Sequence, residues 1–170
     1  MDRPIPSLPA YRLLFVCMGN ICRSPAGEGV MLHLVEQSGH SDWITCDSAG
    51  TIGFHEGSPP DRRMTAAAAK RGIALPSRAR QIRHEDFSRF DLILTMDDDN
   101  YNEVMSLARR PEEREKVVPM LDFARGHVPA GGVPDPYYGG HEGFEGVLDL
   151  LEDACGGLLA ELNSHRAGRP

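Results

Sequence analysis

Cysteine is scarce in this chain, long apolar runs are missing, and acidic residues outnumber basic ones. The four cysteines among 170 residues are Cys17, Cys22, Cys46 and Cys155. They are too sparse for a disulfide scaffold, and no secretory leader precedes them. No apolar stretch approaches the roughly 20 residues that cross a bilayer. A reducing cytoplasm and no membrane contact are therefore expected. The formal charge of −7 makes an overall field that repels nucleic acid. There is no internal repeat and no linker. What remains is an ordinary folded-domain balance, 41% hydrophobic and 25% charged, not a disordered one. The length suits one domain over residues 11–165. Residues 1–10, with Pro4, Pro6 and Pro9, and residues 166–170 read as flexible tails.

Short apolar runs alternate with helical patterns. Leu13 to Val16 fits a strand buried on both faces. Ser24-Pro25 then suits a helix start, with Ser24 as cap, running to Gly39. Trp43 to Cys46 reads as a strand ending at Asp47-Ser48-Ala49-Gly50. Pro59-Pro60-Asp61 opens an alanine-rich helix that stops at Gly72. Ala79 to Ile82 predicts a short strand, and Asp91 to Met96 a buried one. A helix follows Asp97-Asp98 through Leu107, Val117-Val118 is a last short strand, and Phe144 to Leu162 a closing helix. This alternation predicts a three-layer α/β/α domain. Its central, mostly parallel, four-stranded twisted sheet binds ligands at the carboxyl ends of the strands.

The segment from Val16 to Pro25 carries the chemistry. It joins a buried strand to a helix start, where free N–H groups and the dipole favour anions. Five residues separate Cys17 from Arg23, enough for a loop to curl around one phosphate with its N–H groups inward. Cys17 would lie at the bottom, where those donors and Arg23 favour the nucleophilic thiolate. Arg23 offers a planar fork for two phosphoryl oxygens. Gly19 permits close backbone approach, Asn20 tolerates a left-handed conformation, and Ser24 can donate to the sulfur. The plain alternative is a core cysteine ending a strand. The loop lacks the Gly-Lys-Ser/Thr ending of a nucleotide loop. Cys17 and Cys22 have no second Cys/His pair at metal-ligand spacing. Asp135, between Pro134 and Pro136, is either a turn residue or a carboxyl group held in place as a proton donor.

At these residues the sequence resembles the low-molecular-weight protein tyrosine phosphatase family, from about Arg12 to Leu162. The resemblance also rests on Asp47 to Thr51, Pro60-Asp61-Arg62, Ala79-Arg80-Gln81, Phe90 to Asp97, and Asp135-Pro136-Tyr137-Tyr138. It implies hydrolysis of phosphotyrosine through a phosphocysteine, with Cys17 as nucleophile, Arg23 binding phosphate and Asp135 as general acid and base. Neither metal nor cofactor is implied, since the loop supplies the positive charge. Met18, Gly19, Asn20, Ile21, Cys22 and Ser24 would form the substrate cradle. Tyr137 and Phe54 would be its aromatic walls, although Phe54 also reads as a core residue. Ser48 and Ser24 would hold Asn20. Ser77 stands where relatives often carry histidine, which implies a looser network.

The branched Ile21 favours an aromatic ring over phosphoarginine, for which relatives carry threonine. Arsenate reduction on this scaffold needs further cysteines near positions 78 to 100, and none occurs there. An inactive phosphotyrosine-binding module is the remaining alternative. Cys22 reads either as a thiol that traps oxidised Cys17 in a reversible disulfide or as a small buried filler. The seven histidines form no ligand spacing. The implied partners are phosphotyrosine proteins, a tyrosine kinase among them, and the chain is expected to be a monomer or weak dimer.

Overall fold

The computed structural model describes residues 10–137 and 140–167. Residues 1–9, 138–139 and 168–170, Tyr138 among them, lie outside these. Four parallel strands form one sheet in the order β2-β1-β3-β4. They are β1 (Tyr11–Cys17), β2 (Ile44–Gly50), β3 (Leu92–Thr95) and β4 (Val117–Pro119). The helices are α1 (Arg23–Gln37), α2 (Arg62–Ala69), α3 (Asp86–Arg89), α4 (Asp98–Leu107), α5 (Pro111–Arg114) and α6 (His141–Ala167). A turn of 3₁₀ helix covers Met120–Phe123.

Strand β1 is apolar from Leu13 to Cys17 because it is central and covered twice. Leu13, Phe15 and Cys17 face a core built with α1, α2 and α6. Leu14 and Val16 face a second core with Ile93, Phe87 of α3 and Val104 of α4. The period of two thus sorts one strand into two cores, which makes the three-layer architecture. The sheet leaves β1 on opposite sides toward β2 and β3, so the carboxyl end of β1 is the switch point where such folds open a crevice.

Two expectations are corrected. Ala79 to Ile82 forms no strand: the segment makes one bridge, Gly50 to Gln81, and otherwise follows an irregular path. Arg166 and Ala167, read as tail, continue α6. Helices α3 and α5, four residues each, were too short to leave a periodic signature.

Candidate active site

Cys17 ends β1 and Arg23 begins α1, both only 3% exposed. Between them the chain reverses through Asn20 at φ 58°, the left-handed conformation that asparagine accepts more readily than most side chains. Asn20 is itself buried, and its amide is used at both ends. Its Nδ2 donates to Ser24 Oγ at 2.8 Å, and its Oδ1 accepts from the Arg80 N–H at 3.0 Å.

The loop carbonyls are tied outward. Those of Cys17 and Met18 accept from Thr51 and Ile52, and that of Ile21 accepts from Asp61. Gly50 makes this possible, since a Cβ there would lie 2.6 Å from the Met18 oxygen. The N–H groups of residues 18–22 donate to no carbonyl among the described residues. Outward carbonyls leave inward amides, which is the polarity an oxyanion needs.

Ser24 does not cap α1. The cap position falls on Cys22, whose side chain makes no capping bond, so the helix start stays open toward the loop. The Ser24 hydroxyl lies 3.0 Å from Cys17 Sγ. Because Asn20 donates to Ser24, the one hydroxyl proton is available to the sulfur. Its other acceptor, the Ala49 carbonyl, is more distant at 3.4 Å.

Arg23 Nη1 donates to Asp97 Oδ2 at 2.6 Å and to the Val133 carbonyl at 3.0 Å. Burial alone would lower its pKa, but Cys17, Asp97 and Asp135 together raise it. With Nη1 anchored, its Nε and Nη2 remain as the edge that can fork onto an oxyanion. Asp135 Oδ2 stands 3.8 Å from Nη2, while Oδ1 accepts from the Tyr137 N–H at 3.0 Å.

Cys17, Arg23 and Asp135 line a pocket of about 250 Å³, with Met18, Ile21, Phe54 and Tyr137 as apolar walls, while Asn20 and Ser24 lie behind the loop and not in its lining. Phe54 is no core residue: it is 83% exposed at the rim. Cys22 is buried beside Cys17, and burial, with Asp61 and Cys17 adding to it, pushes its thiol up to about 12. Ser48 is not hydrogen-bonded to Asn20. Its hydroxyl donates to the buried carboxyl of Glu28 at 2.6 Å.

Sequence reasoning missed Asp97, whose only signal was its place at the end of the Phe90 to Asp97 motif. It also missed His55, which carried no signal. That ring lies edge-on to Phe54, their centroids 4.9 Å apart, and would stand 3.1 Å from a Cβ on Gly19. Gly19 thus gives the His55 ring room and is not at a left-handed turn. Among the described residues, no three His, Cys, Asp or Glu side chains gather as a metal cage, and no helix is long and apolar enough to cross a membrane.

A thiol under an amide-lined loop, beside a buried arginine and at the switch point of a parallel sheet, defines a class of α/β proteins built to receive an oxyanion. The family model described as low molecular weight phosphotyrosine protein phosphatase matches residues 12–167, and the chain belongs to that family. A Synechocystis protein of the same family is 52% identical over 151 residues, covering 89% of this chain and 96% of its own. The low molecular weight protein-tyrosine-phosphatase of Streptomyces coelicolor is 43% identical, covering 94% and 98% respectively. The crystal structure of a protein tyrosine phosphatase from Entamoeba histolytica, with Hepes in its active site, superposes with a TM-score of 0.88. It is 42% identical and covers 92% of this chain and 99% of its own.

Proposed function

We propose that this chain hydrolyses phosphotyrosine in protein substrates through a phosphocysteine formed at Cys17. The observation that carries this reading is one pocket holding the Cys17 sulfur, the Nε–Nη2 edge of Arg23 and a collar of loop amides that donate to no carbonyl among the described residues. In the first step Cys17 Sγ attacks phosphorus, the S–P bond forms and the P–O bond to tyrosine breaks. Asp135 Oδ2 gives its proton to the departing oxygen, because Oδ1 is occupied by the Tyr137 N–H. In the second step Asp135 takes a proton from water as that water attacks phosphorus, releasing phosphate and the Cys17 thiolate. Arg23 and the amides stabilise the equatorial oxygens throughout. The half-buried, branched Ile21 suits a flat ring better than a guanidine. A thiol nucleophile works where it stays reduced, which suits a cytoplasmic enzyme.

The test is hydrolysis of para-nitrophenyl phosphate with excess chelator. The expected outcome is turnover in wild type, none in Cys17→Ser, and a loss of about 10²-fold or more in Asp135→Ala. No turnover in freshly reduced wild type would leave a phosphotyrosine-binding module as the better reading. Under mild peroxide, Cys17 goes to a sulfenic acid, and the Cys22 thiol condenses with it to a disulfide and water. With longer exposure the unprotected Cys17 of Cys22→Ser passes to the sulfinic acid, which dithiothreitol does not reduce, so dithiothreitol restores activity in wild type but not in Cys22→Ser. Equal recovery in both would reduce Cys22 to a packing residue.

A further inference from the structure

We propose that Arg63, which lines no part of the pocket, is a positioning residue that locks the loop of the proton donor to the phosphate loop. This rests on the reading of Asp135 as general acid. Arg63 belongs to the first turn of α2, and its guanidinium is engaged on several sides. Nε and Nη2 donate to the two carboxylate oxygens of Asp61 at 3.2 and 3.0 Å. Nη2 also donates to the Tyr137 carbonyl at 2.9 Å. The guanidinium carbon lies 4.7 Å from the ring centre of Phe144, on α6, and 5.5 Å from that of Tyr137.

Each of those partners leads to the site. Asp61 caps α2 by accepting from the N–H groups of Arg63 and Met64, and its own N–H donates to the Ile21 carbonyl in the phosphate loop at 2.8 Å. Tyr137 donates its N–H to Asp135 Oδ1 at 3.0 Å. A continuous track therefore runs from Ile21 through Asp61, Arg63 and Tyr137 to Asp135. An exposed Arg–Asp pair alone contributes little. Here the planar fork holds a carboxylate while its flat face covers two rings and its edge grips a backbone carbonyl. Lysine, with a single ammonium, cannot do all three. Releasing Arg63 removes one hold on the Tyr137 backbone, and so loosens the N–H that keeps Asp135 Oδ1 occupied and its proton on the side of the leaving group.

The consequence is a loss that depends on the leaving group. kcat/KM reports the step that breaks the ester bond, whatever limits turnover. A phenyl leaving group needs the proton more than a nitrophenyl one. The ratio of kcat/KM for para-nitrophenyl phosphate to that for phenyl phosphate, taken on one preparation, is independent of the folded fraction. In Arg63→Met that ratio is expected to rise about tenfold over wild type, and in Arg63→Lys by an intermediate amount. Asp135→Asn should raise it further. A ratio unchanged in Arg63→Met, with Asp135→Asn still raising it, overturns the role of Arg63 and leaves the mechanism standing. A ratio unchanged in Asp135→Asn as well overturns the acid assignment, and the Arg63 inference with it.

Discussion

Glu28 shows how much one side chain of α1 decides. Glu28 is only 5% exposed, and its pKa is pushed up from 4.5 to about 7. Burial is the main cause and Asp47 adds to it, while the Ser48 hydrogen bond and Arg80 oppose. Between pH 4.5 and 7 the folded chain therefore keeps a proton that the unfolded chain releases. Stability falls as pH rises through that window, by up to about 3 kcal/mol. Urea unfolding should find Glu28→Gln gaining on wild type from pH 4.5 to 8, and a parallel pH dependence would refute this. Ser77 is a second departure at this scale. Its hydroxyl is buried with no partner among the described residues. Asn20 is the third. Asn20→Ala removes one buried and one partly buried hydrogen bond and leaves an alanine at positive φ. The expected loss is about 2–4 kcal/mol, read from the shift in urea midpoint.

At the scale of elements, adjacent glycines of α6 have opposite meanings. A Cβ on Gly157 would run into the Phe123 carbonyl at the end of the 3₁₀ turn, so the helix and that turn touch backbone to backbone. A Cβ on Gly156 meets nothing within 4 Å. Gly157→Ala is expected to destabilise by about 1–3 kcal/mol through overpacking. Gly156→Ala should stabilise by up to about 1 kcal/mol through helix propensity. Thermal unfolding of the two variants beside wild type decides it, and shifts of the same sign would contradict the packing. The cap of α4 belongs here too. Asp97 accepts from the Asn100 N–H at 2.8 Å through Oδ1 and holds Arg23 through Oδ2. One carboxylate thus starts a helix and holds the arginine of the pocket, a double use no sequence spacing announces.

For the whole molecule, the net charge of −7 surrounds a pocket that must admit a dianion. The long-range field opposes approach, while the local amides and Arg23 favour it. With phosphopeptides rich in Asp and Glu, kcat/KM should rise several-fold as ionic strength goes from about 0.02 to 0.2 M, because salt screens the long-range repulsion. A fall over that range would mean that basic groups near the rim dominate the encounter.

Much of this was legible in the amino-acid order, for local reasons. The core strands β1 and β3 are apolar runs, α2 has its Asp61 cap and Gly72 stop, and Cys17 through Pro25 is a contiguous segment whose residue types suit an anion loop. Cys17, Arg23 and Asn20 could be picked out from that segment alone. Asp135 needed the family resemblance, because an Asp-Pro pair by itself equally begins a turn. What only the tertiary structure decided are the contacts between distant segments. Asp97 reaches Arg23, Arg80 presents its N–H to Asn20, and Arg63 joins α2 to the acid loop. The same holds for Ser48, which turns to Glu28 instead of Asn20. Local order specifies each strand, turn and cap through backbone geometry. Which side chain meets another across the chain depends on how the layers pack, and no spacing along the sequence encodes it.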